Sequence, residues 1–272
     1  MRADRETYTH GHAASVLRSH ASRTVADSAA YLIPFLRPGA RVLDVGCGPG
    51  TITADLAARV APGPVLGIEP TPGPLADARA HAAAVGAANA AFALGDVYAL
   101  DHPDDAFDVV HAHQVLQHLG DPVAALREML RVCAPDGIVA ARDADYAAMT
   151  WYPADPRLDR WLAVYRAVAH GNGAEPDAGR RLLAWANAAG AGEVTAGASV
   201  WCYATPESRA WWGGMWADRI LTSAITAQAV DGGHADEAEL REISAAWRAW
   251  AEQDDGWFAI IHGEVLCRPV AI

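Results

Sequence analysis

The chain of 272 residues contains no lysine; its 21 basic residues are all arginine. That absence removes several chemistries at once, because a Walker P-loop, a Schiff-base lysine and the Tyr/Lys pair of short-chain dehydrogenases all need an ammonium group. Cysteine is scarce too. Cys47, Cys133, Cys202 and Cys267 are dispersed, form no C-x-x-C pair and follow no secretory leader, so reduced thiols in a cytoplasmic protein are expected. No apolar run approaches the length of a bilayer span. Positive charge is in deficit: a formal net charge of -12 disfavours polyanions, since nucleic-acid affinity rests on basic side chains neutralising phosphates. The expected partner is therefore a small molecule, not a nucleic acid or a membrane, and nothing here bears on oligomeric state. Tryptophan is missing from the first 150 residues, all ten lying at or after Trp151. The second half is thus the expected source of substrate selectivity.

What is present begins with Arg41-Val42-Leu43-Asp44-Val45-Gly46-Cys47-Gly48-Pro49-Gly50-Thr51. Apolar and β-branched residues predict a buried strand, the glycines a loop that lets a ligand approach the backbone, and Thr51 the start of a helix. Such a loop presents N–H groups and the positive end of a helix. The spacing G-x-G-x-G departs from the dinucleotide fingerprint G-x-G-x-x-G. Two further strand ends accompany it. Val65-Leu66-Gly67-Ile68-Glu69 places a carboxylate about 20 residues on, where a ribose diol would donate two hydrogen bonds. Phe92-Ala93-Leu94-Gly95-Asp96-Val97 places another where a purine amino group could be met.

Together, Asp44, the three glycines, Glu69 and Asp96 resemble the class I S-adenosylmethionine-dependent methyltransferases, in particular the ubiquinone/menaquinone-biosynthesis type. The resemblance covers roughly residues 39–145. It implies an α/β fold, a doubly wound, mostly parallel seven-stranded Rossmann-like sheet, with S-adenosylmethionine as cofactor and S-adenosylhomocysteine as product. Asp44, Gly46, Cys47, Gly48 and Gly50 would wrap the methionine part and Glu69 would hold the ribose. Asp96 and the backbone at Val97 would meet the adenine, and His113 and Gln114 would lie beside the sulfonium. Pro70, directly after Glu69, departs from the flexible apolar residue usual there and is taken as a cofactor contact. One domain over 1–272 is expected, with an N-terminal helical lid (1–38), a cofactor core (39–145), and cap helices with a final strand pair (146–272).

In chain order, Val16, Leu17, Val25, Ala29, Leu32, Ile33 and Leu36 predict helices that stop at Pro38-Gly39. Tyr8 and His10, in the polar stretch also holding His12, are candidate lid and substrate residues. Helix, strand, helix follow over 51–61, 65–69 and 74–85, then a strand from Phe107 to Ala112. Asp121 caps a helix from Pro122, read with Val123, Leu126, Leu130 and Cys133 on one face. Pro135-Asp136-Gly137 then turns into the strand Ile138–Ala141. This alternation predicts a parallel sheet with ligands at its carboxyl edge. Val194–Ala204 and Trp257–Leu266 are the expected last strands, with helices over 211–229 and 236–252 inserted between them as part of a cap.

Among candidate chemical groups, His111 reads as a buried core histidine, and His113 and His118 as catalytic residues able to take a proton near pH 6.5. A histidine with Asp143 or Asp145 could hold a metal, but the spacing shows no tight ligand set, and no metal is expected. Trp151 and the pair Trp211-Trp212 are the candidate acceptor pocket, and Arg23, Arg142 and Asp143 could orient a polar substrate group.

The runs Tyr8–His12, His113–His118 and Ala125–Met129 also resemble, less specifically, thiomethyltransferases that cap dithiols of fungal diketopiperazine toxins. That similarity implies a secondary metabolite methylated on sulfur. O- or C-methylation of a phenol or quinone-type acceptor is the alternative within the class. An NAD(P)-dependent oxidoreductase and a non-catalytic adenosylmethionine-binding protein are the rivals outside it.

Overall fold

The computed structural model describes Thr9 and residues 22–270; Tyr8, His10 and His12, and with them most of the expected lid, lie outside the described residues. Helix α1 (Val25–Ser28) opens on a capping box, in which the Thr24 hydroxyl accepts from the Asp27 N–H and the Asp27 carboxylate accepts from the Thr24 N–H. Of the helices expected up to Leu36, the described residues form this single turn and a 3-10 stretch, Ala30–Phe35. Pro34 lies within the 3-10 stretch: it cannot donate to a helix and pushes Ile33 away from α geometry. Val25, Ala29 and Leu32 are nonetheless fully buried.

From there strands and helices alternate: β1 (Val42–Val45), α2 (Thr51–Val60), β2 (Val65–Glu69), α3 (Gly73–Ala84), β3 (Ala90–Leu94) and β4 (Phe107–His113). Asp121 accepts from the Ala124 N–H to cap α4 (Pro122–Val132), with Pro122 in the first turn. The buried face of α4 is Ala125, Leu126, Met129 and Val132, one step around from the expected stripe. Cys133 leaves the helix altogether and opens β5 (Cys133–Ala144). The expected turn at Pro135-Asp136-Gly137 lies inside this strand, where the β4/β5 register shifts between the pairs Phe107–Cys133 and Val109–Ile138.

The remainder comprises β6 (Thr150–Tyr152), α5 (Pro156–Gly171), α6 (Leu182–Ala189), β7 (Glu193–Tyr203), α7 (Pro206–Thr222), α8 (Ala224–Asp231), α9 (Glu237–Ala251) and β8 (Trp257–Arg268). The sheet runs β3-β2-β1-β4-β5-β8, parallel through β5, with β8 antiparallel between β5 and β7. The seven expected strands are joined by an eighth, the three-residue β6, which pairs with β8 beyond the end of β5.

Period-2 alternation divides the core. Leu43 and Val45 face a layer with Leu126 and Met129, while Val42 faces Val25, Leu56 and Val60 on the other side. A third cluster gathers Trp161, Trp216, Trp247 and Phe258. Trp161 meets Trp216 and Trp247 edge-on at centroid distances of 4.6 and 4.9 Å, arrangements that add to the burial itself. The helices inserted before β8 therefore fold as a packed aromatic layer. Among the described residues no helix is long and apolar enough to cross a membrane.

Candidate active site

At the end of β1 the chain turns through Gly46, Gly48 and Gly50 at φ +66°, +53° and +78°, conformations glycine adopts without penalty. Space is the second constraint. A Cβ on Gly46 would lie 2.5 Å from Val115 Cγ2, and one on Gly50 2.8 Å from Ala78 Cβ. Beneath the loop, buried Asp44 accepts from Thr53 Oγ1 at 2.6 Å and pairs with His111 Nδ1 at 2.7 Å. Both Asp44 oxygens thus anchor the loop to α2 and β4, although the residue still borders the groove. His111 is the buried, hydrogen-bonded core histidine expected.

Glu69 closes the loop from outside, accepting from the Gly48 N–H at 2.7 Å. Burial, and after it the nearby Asp44 charge, raise its pKa to about 7 against the pull of that hydrogen bond. Asp96 accepts from the Tyr98 N–H at 2.9 Å. The resulting groove, about 250 Å³, is bordered by Cys47, Glu69, Pro70, Asp96, Val97 and His113 among others. Burial pushes the Cys47 thiol up and keeps it protonated. The groove suits an adenosyl cofactor: it offers a glycine cradle that a Cβ would fill, a carboxylate for a diol and apolar flanks for a purine.

A second cavity, about 290 Å³, adjoins it and is walled by Tyr146, Trp201, Tyr203, Trp211, Trp212 and Trp216. Tyr203 stacks on Trp212 at 4.4 Å and 7°. Trp211 and Trp212 line this cavity, whereas Trp151 stacks on Phe258 at 5.6 Å within the aromatic core and borders neither cavity. The reason is β6, whose pairing with β8 directs Trp151 into that layer. Arg142 and Asp143 are likewise structural. Arg142 donates to Ser199 Oγ at 2.9 Å and pairs with Glu264 at 3.2 Å. Asp143, raised to about 7 by burial, accepts from the Gln117 N–H.

Arg23, Gln114 and His118 border both cavities. Gln114 sits just past β4 at φ +54°, uncommon for a side chain of its size. Arg23 Nη2 donates to Gln114 Oε1 at 2.6 Å, and Gln114 Nε2 lies 2.9 Å from His262 Nε2. Because a guanidinium can only donate, the amide oxygen must face Arg23. Its NH2 then faces His262, whose Nε2 accepts and whose proton sits on Nδ1. Burial first, then the Arg142 and Arg23 charges, hold His262 well below its ordinary pKa.

His113 and His118 do not suit the base role expected of them. Burial, followed by the Arg23 charge, lowers His113 strongly, and the same two causes bring His118 down to about 3. A proton passing from a thiol near ~8.5 to an imidazole lowered in this way moves uphill. The sequence reading missed Arg219, Tyr146, Tyr203 and His262. Arg219 and Tyr203 had only a place among cap elements as a signal, and His262, 148 positions from Gln114, had none.

Comparisons agree with this geometry. A family model described as a methyltransferase domain matches residues 36–190. An uncharacterised methyltransferase of Schizosaccharomyces pombe is 36% identical over 273 residues, spanning 97% of this chain and 96% of its own. The YcgJ protein of Bacillus subtilis has the same fold, with a TM-score of 0.58 at 21% identity over 89% of this chain and 98% of its own. Phosphoethanolamine N-methyltransferase 2 of Haemonchus contortus, solved with phosphomonomethylethanolamine and S-adenosylhomocysteine, also shares it. Its TM-score is 0.56 at 16% identity, over 89% of this chain and 52% of its own.

Proposed function

The chain belongs to the methyltransferase-domain family and is an S-adenosylmethionine-dependent enzyme, and from that premise we propose that it methylates a small organic acceptor on sulfur or oxygen. The observation that carries this is the shared border: the groove and the aromatic cavity both reach Arg23, Gln114 and His118. In this reading Gly46, Cys47, Gly48 and Gly50 hold the methionine end of the cofactor over the Asp44 anchor. Glu69 accepts from the ribose, Asp96, Val97 and Pro70 border the adenine, and His113 and Gln114 flank the sulfur. The acceptor enters between Trp211, Trp212 and Tyr203. The earlier likeness to dithiol-capping enzymes favours sulfur and a secondary metabolite; a phenol is the alternative.

When bound, the cofactor supplies a methyl group on a sulfonium, already electrophilic enough for direct displacement. The protein's task is then alignment and exclusion of water. Gln114, fixed by Arg23 and His262, sets the boundary across which nucleophile and methyl carbon must meet. The aromatic walls hold the acceptor's apolar body.

Two measurements test the reading. Adenosylhomocysteine is expected to raise the melting temperature, and NAD(P) to leave it unchanged. Turnover on a panel of thiols and phenols should then lose acceptor affinity in Trp212→Ala while cofactor affinity is kept. Adenosylhomocysteine binding with no turnover on any acceptor would favour a non-catalytic binder.

A further inference from the structure

The aromatic cavity touches β7 in a way that side chains alone do not explain. Val200, Trp201, Cys202 and Tyr203 all border it. Successive side chains of a strand point to opposite faces, and Trp201 and Tyr203 are packed against the aromatic cluster. Val200 and Cys202 therefore point the other way, where Val200 is 55% exposed. What four consecutive residues offer to one space is the main chain along the strand. β7 lies at the edge of the sheet: it pairs with β8 over Glu193–Tyr203 and with no other strand among the described residues. In such a ladder alternate residues turn both N–H and C=O away from the partner strand. Among the described residues no hydrogen bond reaches the main chain of residues 200–203 except from β8.

Sheet edges are commonly guarded by charge, by proline or by a covering element. Residues 194–203 hold no charge and no proline, so the edge beside the cavity is open to pairing. Several polar side chains at the same border are already bonded within the protein. Gln114 bonds Arg23 and His262, His118 bonds Gln117, and Asp27 serves the α1 cap. Rigid main-chain donors and acceptors set among apolar rings are the kind of polar group that orients a small ligand in its pocket.

We propose that the acceptor carries a secondary amide, and that this amide pairs with the free edge of β7 at residues 200–203 in the place of a further strand. This rests on the reading of the second cavity as the acceptor site. An edge residue presents its N–H and its C=O on the same side, so the matching group offers an acceptor and a donor side by side. A lactam does so, and so does one residue of an extended peptide. Pairing of this kind fixes the depth and the direction of the acceptor, while Trp211, Trp212 and Tyr203 hold its apolar part. The nucleophile is then presented at the Gln114 and His118 border with the cofactor groove. Sulfur and oxygen serve alike there, because recognition lies in another part of the acceptor.

The test compares probes that differ by a single replacement, with the full-length protein saturated in adenosylhomocysteine. The lactam 6-hydroxy-3,4-dihydro-2-quinolinone is paired with 6-hydroxy-3,4-dihydrocoumarin, which has the same shape with oxygen in place of N–H. N-acetyltyrosine N-methylamide and its ester counterpart, with oxygen in place of the tyrosine N–H, form the peptide pair. An amide gives up more hydration than an ester on entering an apolar space, so a cavity without edge pairing would bind the esters at least as tightly. Edge pairing reverses that order. The amide of one pair or of both is expected to bind about three- to tenfold tighter, and the pair that shows it tells a lactam from a peptide. When that probe binds, hydrogen exchange read by NMR should slow about tenfold at an amide within residues 200–203. Ester binding equal to or tighter than amide binding in both pairs, no binding of any probe at millimolar concentration, or unchanged exchange at these residues overturns the proposal. Trp212→Ala separates the two levels. Weakened binding of the probes, with no amide preference in the unaltered protein, sinks only the edge pairing, whereas affinities that the substitution leaves unchanged place the probes elsewhere and sink the acceptor reading with it. Should Trp212→Ala fail to fold, the comparisons on the unaltered protein decide the edge pairing by themselves.

Discussion

The cofactor groove and the aromatic cavity share a border but are built differently. The groove is made largely of backbone and of residues one turn from a strand end: Gly46, Gly48 and Gly50 within five positions, with Glu69 and Asp96 at the next two strand ends. The cavity is made of side chains brought from α1, the end of β4, β7, α7 and β8. One has carboxylates at its floor and side, with Glu69 raised to about 7 and Asp44 beneath it; the other is walled mainly by aromatic rings. The comparison teaches that adjoining spaces can have different origins, a groove specified locally by short-range spacing and a cavity assembled globally by long-range packing.

The firmest way to break this division is to remove the support of the cavity. Trp161, fully buried at the centre of the aromatic cluster, should cost about 3 to 5 kcal/mol when changed to alanine, read by urea unfolding. A loss below about 1 kcal/mol would mean that the cluster is not a packed core. Next comes Glu69→Ala, which should weaken cofactor binding by ~1 to 3 kcal/mol in calorimetry, because it leaves buried ligand hydroxyls unpaired. Probe affinity in the aromatic cavity should stay unchanged; loss of both together would show that the halves are not separable.

A smaller effect is a pH dependence confined to the groove. Because Glu69 is raised to about 7 in the folded protein, its contribution to the stability of the ligand-free protein is complete below its unfolded pKa of about 4.3 and is lost as pH rises through about 7. The ligand acts in the opposite sense, since a diol needs the carboxylate. Cofactor affinity should therefore increase up to about tenfold per pH unit approaching pH 7 and level off above it, and Glu69→Gln should flatten the curve. A dependence that persists in the Gln variant would assign the titration to another group. The smallest effect should come from the wall of the cavity. Tyr203→Ala removes the partner stacked on Trp212 at 4.4 Å and should raise the acceptor KM severalfold, from roughly 0.5 to 1.5 kcal/mol of ring contact beyond its area, with cofactor affinity constant.

How much of this could be read in advance follows the same division. The strands around Asp44, Glu69 and Asp96 and the cap at Asp121 lie where spacing puts them, because each depends on neighbours within a few residues. The helical stretch predicted up to Leu36 is interrupted at Ala29 and continues as a 3-10 helix that contains Pro34, and Cys133 leaves α4 for β5, because strand pairing with Phe107 outweighs the helical period. Trp151 illustrates the limit for sites. Its position after the fifth strand suggested a pocket wall, and only the pairing of β6 with β8 directs it into the core instead. Sequence marks a tryptophan as an apolar mass but does not say which of two apolar environments receives it.

By itself, then, the amino-acid sequence determined the cofactor half: a glycine turn, its acidic neighbours and the order of strands, all governed by short-range sterics and hydrogen bonds. The absence of lysine and the surplus of acid narrowed the chemistry as well. What only the tertiary structure decided is the aromatic cavity. Antiparallel β8 brings His262 to Gln114, and the inserted α7 brings Arg219 to the aromatic cavity. That meeting depends on long-range packing, which decides where a side chain ends up and which charges it faces.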